Sequence, residues 1–542
     1  MSDVQRVSDA EEATDAQIVH SSAVVAVGTA LSRITGLLRT VVLAYVLGRE
    51  ALAAAYNLSN TTPNIVYDLI LGGILSATLV PVFVDRFQND DEGGVNAVVT
   101  VVTSGLIAVT VTAVVAAPWI FRAYTWAAPG RNAADLERAG VPLLRLFAPQ
   151  ILFYGLMALG TAILNARRRF AAPAFVPILN NVVVCAVLLY FAHVAGRGAS
   201  VESIVDNTTW LWLLGAGTTA GIALMTIALW PSLRSSGWRF RWHFRPSDPA
   251  VRKVAKLSGW TLGYVIANQV ALLVVLALAT RESDSAPTFY LYAFQFFQLP
   301  YGLFAVSLMT TITPELASAA SNRDMVRFRE RLSYGIRLMT LVVLPSAVGM
   351  IVVARPLIAG LLGGGFVPAA DVLANFAIGL LAFSLYLFLL RGFYAQQDTR
   401  TPFFLNVLEN GVNVLLAFAL VGRFGVQGLA FAYSAAYIVA AAATFLALRR
   451  RVGRLEGRRL AATTVRIAAA AAVMGVAAYL ASRAVGSPTG SGAVVRLVVG
   501  VVVGVVVYGA CLLAFRVEEI DALRDRLRGR SRRGRSIDPV RG

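Results

Sequence analysis

The chain has 542 residues, of which 57% are hydrophobic and 14% charged, and its mean hydropathy is +0.68. A water-soluble core of this length cannot hide so much apolar surface, which leaves an all-α polytopic membrane protein as the class. The formal charge of +18 is not a nucleic-acid footprint, because the basic residues alternate with apolar runs in the pattern that sets membrane topology.

Residues 1–18 are polar and acidic (Asp3, Asp9, Glu11, Glu12, Asp15) and lack the basic start of a cleaved signal, so they read as a tail and the first span as a retained helix. Cys185 and Cys511 lie in separate apolar runs and imply no disulfide framework. Arginine nearly replaces lysine, as in a high-GC bacterial genome.

Apolar runs of spanning length fall at 20–48, 63–86, 95–121, 141–165, 173–196, 208–231, 254–280, 287–318, 335–362, 369–393, 402–422, 426–448, 463–485 and 493–515. The spacing thus predicts about fourteen transmembrane helices. The first holds Arg33 and Arg39 in its middle. An arginine at membrane depth costs at least ~2.5 kcal/mol, so it normally faces a bundle interior or a wet cavity. Six residues set the two guanidinium groups about 9 Å apart along a helix and about 120° around it, enough to line a broad cavity for an anion.

In the second span Asn60, Asn64, Tyr67 and Asp68 follow helical spacing. Asp68 reads either as a counter-charge to Arg33 or Arg39 or as a ligand or proton site. The seventh span carries Asn268 and Gln269. In the eighth, Gln295 and Gln298 precede Pro300 and Gly302, which loosen the helix; the glutamines serve either substrate or helix-to-helix hydrogen bonds. In the eleventh, Asn406, Glu409, Asn410 and Asn413 share a face, either as oxygen ligands for a hard cation or as interhelical hydrogen bonds around one buried acid. Arg391, at the end of the tenth span, snorkels.

One alternate set of connecting segments holds 34 of the 48 basic residues, which by the positive-inside rule places both termini in the cytoplasm of a bacterial plasma membrane. The tail RDRLRGRSRRGRS reads as a topogenic segment on anionic headgroups.

A shift of 229 residues lays ARRRFAAPAFVPILNN (166–181) over AQQDTRTPFFLNVLEN (395–410) without a gap. The same shift moves the fourth and fifth spans onto the tenth and eleventh, so the copies share an orientation, the parallel-repeat arrangement of several transporters. The expected organisation is an acidic tail (1–18), an N-lobe of six spans (19–231), a basic linker (232–253), a C-lobe of six spans (254–448), two further helices (463–515) and a basic tail (516–542).

No Walker lysine loop or HExxH motif is present, and His20, His193 and His243 are scattered. The chain therefore reads as a transporter, not an enzyme, with no cofactor beyond a coupling monovalent cation or the membrane potential. A drug–cation antiporter would want an acidic cavity, which the first-span arginines disfavour. A membrane glycosyltransferase would want a large external loop, and none is present.

The segments SRITGLLR (32–39), TPNIVYDLILGGILSATLVPVF (62–83), ILNARRRFAAPAFVPILNN (163–181), QLPYGLFAVSLMTTITPEL (298–316) and GFYAQQDTRTP (392–402) together resemble the MurJ (MviN) family of lipid II flippases, within the multidrug/oligosaccharidyl-lipid/polysaccharide exporter superfamily. The resemblance implies fourteen helices around a cationic cavity, the last two forming a groove for a polyprenyl tail. It implies a lipid-linked peptidoglycan precursor as substrate, membrane lipids and cell-wall synthesis proteins as partners, no nucleic acid, and Arg33 and Arg39 on the diphosphate. Ala54 stands where many members carry an acid, Tyr67 and Asp68 where they carry paired arginines, and Gln295 where they carry an arginine. The cavity implied for this chain is less positive, and export of another polyprenyl-linked glycan is the alternative reading.

Overall fold

The computed structural model describes residues 3–69, 79–453 and 455–515. Among them the regular elements are helical. In chain order they are α1 (Asp3–Leu47), α2 (Ala51–Leu69), α3 (Val80–Gln88), α4 (Glu92–Thr125), α5 (Gly130–Phe147), α6 (Gln150–Ala166), α7 (Ala171–Ala195), α8 (Val201–Asp206), α9 (Thr208–Ile227) and α10 (Trp230–Ser235). Then come α11 (Pro249–Glu282), α12 (Ala286–Pro300), a π-helical turn (Tyr301–Ala305), α13 (Val306–Ser321), α14 (Met325–Leu361), α15 (Val367–Ile378), α16 (Leu380–Ala395), α17 (Arg400–Val452), α18 (Gly457–Ala484) and α19 (Ser491–Ala514). The π turn follows Pro300 directly, where the sequence anticipates a loosened helix, since proline removes a ladder donor.

Eleven helices among the described residues are long and apolar enough to cross a membrane, or twelve if α15 and α16, bent by 44°, form one broken span. This makes the chain a multi-pass membrane protein. The count falls short of fourteen for two physical reasons. The second expected span, 63–86, runs through 70–78, outside the described residues. The 53 residues of α17 would reach about 80 Å, far more than a ~30 Å hydrocarbon core needs, and Gly425 (φ 55°, ψ −142°) interrupts it between the runs expected at 402–422 and 426–448. At the other end, α1 carries helix through the acidic stretch set apart as a tail, and its apolar part is Val27–Leu47.

The chain divides into two compact units, one ending at Leu291 and the other beginning at Tyr292. In the first, α1 packs along α7, α4 along α5 and α11, and α9 along α5, α6 and α7. Helix α11, which the repeat assigns to the second lobe, thus packs on the first unit. The α1–α7 seam is close: a Cβ on Gly28 would lie 2.9 Å from that of Ala174, so a larger residue would force the helices apart. In the second unit α14 packs against α13, α15, α16, α18 and α19, and Tyr508 of α19 donates to the Leu341 carbonyl at 2.6 Å.

The repeat has a backbone signature. Among the described residues four other than glycine have positive φ: Asp90 (53°), Arg168 (56°), Arg323 (57°) and Gln397 (59°). Arg168 and Gln397 are 229 residues apart, the shift read from sequence, and Asp90 and Arg323 pair at 233. After each, the next amide reaches back five residues: Asp91 to Arg86, Arg169 to Leu164, Asp324 to Ala319 and Asp398 to Phe393, at 2.8–3.0 Å. This is the helix-ending geometry of a left-handed residue followed by a six-to-one bond, and it recurs twice in each unit.

Candidate functional site

In α1 the exposed apolar residues Val27, Leu31, Ile34, Leu38 and Tyr45 form one stripe at helical spacing. By helix geometry Arg33 and Arg39 each sit about 120° around from it, on opposite flanks. Neither therefore points where an apolar, lipid-type face points. Arg33 is exposed and Arg39 half-buried. The Nε of Arg39 is buried and donates to no acceptor among the described residues. Its charge reaches Tyr56 of α2 and Cys185 of α7. Asn181 of α7 fixes the helix on either side of Arg33 by donating to the Ser32 carbonyl (3.3 Å) and to Thr35 Oγ1 (3.0 Å).

The second-span face predicted from spacing is present on α2. Asn64 Oδ1 accepts from the Tyr154 hydroxyl of α6 at 3.0 Å, and the Tyr67 ring lies 4.4 Å from the Tyr154 ring. One turn earlier, Asn60 Oδ1 is buried with no hydrogen bond among the described residues. Another turn earlier, the Tyr56 hydroxyl meets Thr218 Oγ1 of α9 at 3.0 Å. The side chain of Asp68 lies outside the described residues. Ala54 is fully buried.

Sequence reasoning missed the partners of this face. Tyr154 and fully buried Gln150 line α6 one turn apart; Gln150 Nε2 donates to Thr219 Oγ1 at 3.1 Å, and its Oε1 is buried without a hydrogen bond among the described residues. A lone glutamine inside an apolar run was the available signal.

In the second unit, α12 turns Phe294 and Phe297 into an aromatic cluster with Phe376, Phe383 and Tyr433, ring centres 5.3–6.2 Å apart, which leaves Gln295 exposed and Gln298 half-buried. On α17, Asn406, Glu409, Asn410 and Asn413 are all buried, and Asn410 donates to the Asn406 carbonyl at 2.9 Å. Glu409 Oε2 and Asn413 Oδ1 make no hydrogen bond among the described residues. An oxygen-rich stripe of this kind is the ligand type that a hard cation takes. The 229-residue shift pairs Glu409 with Asn180 of α7, whose Oδ1 is likewise buried without a hydrogen bond among the described residues.

The family model described as "Lipid II flippase MurJ" matches residues 43–500. The chain belongs to the MurJ lipid II flippase family. It is accordingly a transporter and not an enzyme. Relatives include a probable lipid II flippase MurJ of Haemophilus influenzae, 29% identical over 476 residues that cover 83% of this chain and 90% of that protein. The lipid II flippase MurJ of Burkholderia cenocepacia is 27% identical over 78% of this chain and 82% of its own. Among solved structures, a lipid II flippase MurJ in an inward closed conformation aligns with a TM-score of 0.74 at 21% identity, covering 92% of this chain and 99% of that one. An inward-facing multidrug resistance MATE family transporter aligns at 0.64 and 15% identity over 78% of this chain and 94% of its own. Both likenesses show the fold. The family match begins at Leu43, so Arg33 and Arg39 stand before it, and their position off the apolar stripe is the observation that bears on their role.

Proposed function

We propose that this chain moves lipid II, the polyprenyl-diphosphate-linked peptidoglycan precursor, from the inner to the outer leaflet of the bacterial plasma membrane by alternating access. Family membership across 43–500 carries this reading. Arg33 and Arg39 supply the diphosphate contacts, with Asn60, Asn64 and Tyr67 of the same unit as polar lining. Helices α18 and α19 hold the polyprenyl tail, and their exposed valine and leucine faces suit it. Both termini are cytoplasmic, as the concentration of basic residues in alternate segments supports.

Membrane potential contributes to export: each negative charge moved out of a negative interior yields about 2.3 kcal/mol per 100 mV. Glu409, with Asn406 and Asn413, would hold a coupling monovalent cation.

Depletion of the protein in its host, with lipid II labelled at the outer leaflet, tests the reading. External lipid II falls while the cytoplasmic pool rises; an unchanged distribution would move the substrate to another polyprenyl-linked glycan and make Tyr67, Asp68 and Gln295 the marks of that change. Complementation with Arg33→Ala is expected to fail although the variant accumulates normally. Restored external lipid II would remove Arg33 from the site.

A further inference from the structure

Between α10 and α11 the sequence WRFRWHFR (238–245) alternates aromatic with basic residues at every step. The segment is not helical, and its backbone meets α4 at every second residue (Arg239, Arg241, His243), the repeat of an extended chain, which sends the two kinds of side chain to opposite faces. Trp238, Phe240, Trp242 and Phe244 make one row, with Trp238 and Phe240 ring centres 6.0 Å apart and Phe240 and Trp242 6.2 Å apart. Arg239, Arg241, His243 and Arg245 make the other. Eight residues of this kind form a strap about 23 Å long.

The strap is held by its backbone. Asn96 of α4 donates from Nδ2 to the Arg239 carbonyl and accepts at Oδ1 from the Arg241 amide, both at 3.3 Å, and Thr100 Oγ1 accepts from the His243 amide at 3.0 Å. Its entry is pinned by Arg167, which donates to the Ser236 carbonyl at 2.7 Å, and by Arg169, which donates to Ser235 Oγ at 2.6 Å. Its exit is pinned by Asp248, which caps α11 through the Ala250 amide at 2.8 Å. Only Trp238 is buried, in the core with α3, α4 and α6. Trp242 and Phe244 remain 59% and 58% exposed, and Arg239, Arg241 and Arg245 are exposed too.

Asn96 and Thr100 lie in the first turns of a membrane span, so the strap runs at the level where that span leaves the apolar layer. At that depth amphipathic rings partition into the headgroup region and guanidinium groups meet phosphates. We propose that the 238–245 strap is a binding site for anionic phospholipid headgroups, with Trp238 as its anchor in the protein, the exposed rings of Phe240, Trp242 and Phe244 seated in the interface and the arginine row on the headgroup phosphates. A membrane is favoured over a nucleic acid because the strap is tied along the end of a membrane span, which holds its exposed rings at the level of lipid headgroups.

The full chain in detergent is titrated with brominated phosphatidylglycerol or brominated phosphatidylcholine, and tryptophan quenching is read as the difference between the wild type and Trp242→Phe, which isolates Trp242. Phosphatidylglycerol is expected to quench at lower concentration than phosphatidylcholine. The Arg239→Gln/Arg241→Gln/Arg245→Gln variant should raise the half-quenching concentration about a hundredfold, at ~1 kcal/mol per arginine near an anionic surface. Its thermal midpoint should hold, since among the described residues the hydrogen bonds at these three positions are made by the backbone. If the triple variant fails to accumulate, Arg241→Gln alone is read in the same way. Equal quenching by both lipids, or quenching indifferent to the arginines, overturns the proposal. So does relief of phosphatidylglycerol quenching by equimolar inorganic phosphate, or tighter arginine-dependent binding of an RNA oligonucleotide.

Discussion

A tyrosine in an apolar run reads as core, and Tyr154 shows why that reading is incomplete. Its ring packs with Met157, Ile222 and Met225, while its hydroxyl is the donor that satisfies Asn64. Tyr154→Phe keeps the packing and strands a polar oxygen, a loss of about 1 kcal/mol, since removing one partner leaves the desolvation of the other uncompensated. A lower thermal midpoint than the wild type checks this; Asn64→Leu combined with Tyr154→Phe should recover part of it, because both polar partners are then gone. Asn64 and Tyr67 were legible because their spacing alone puts them on one helix face. Tyr154 was not, because nothing in a single sequence aligns α6 against α2. The two arginines of α1 were legible for the opposite reason: a charge in an apolar run is conspicuous whatever packs beside it.

Helices were legible as apolar runs, and their ends were legible only in part. Asp90, Arg168, Arg323 and Gln397 end helices in a conformation that sequence reading assigns to glycine, so these turns carried no signal beyond polarity. The acids that follow three of them do the capping. Asp91 accepts from the Gly94 amide at 2.8 Å, which holds its carboxyl below the usual carboxylate range; burial works against this, and the Arg86 guanidinium at 2.6 Å adds to it. A carboxylate whose folded pKa is depressed contributes stability above its unfolded value of about 3.9, and that contribution is lost as pH falls through the lower folded value. Thermal midpoints measured downward from about pH 5 should therefore fall below about pH 4, and less steeply in Asp91→Asn, which retains a capping oxygen but does not titrate. Gly425 is the reverse case, a glycine that the turn requires. With φ 55° and ψ −142° it sits where a Cβ is strained, so Gly425→Ala should cost about 1–3 kcal/mol, read as a lower midpoint, while Gly422→Ala, in open helical space, should not.

At the scale of the whole molecule, a shift of 229 residues relates primary structure, turn geometry and one buried polar position in each unit. The two copies are not chemically equal there: Asn180 is an amide and Glu409 can carry charge, and each has an oxygen that makes no hydrogen bond among the described residues. An amide without a partner is a modest cost, whereas a carboxylate without one must be neutral or matched by a cation, since an isolated charge is far more expensive to bury. Any ion dependence of transport should therefore follow Glu409 and not its counterpart. Glu409→Asn makes the second unit chemically like the first at this position. In proteoliposomes with an imposed potential, lipid II reaching the outer leaflet should depend on a sodium or potassium gradient in the wild type and lose that dependence in Glu409→Asn, while the response to potential remains. A variant that keeps its ion dependence would show that the α17 oxygens serve interhelical hydrogen bonding alone, and the potential acting on the diphosphate would be left as the driving force.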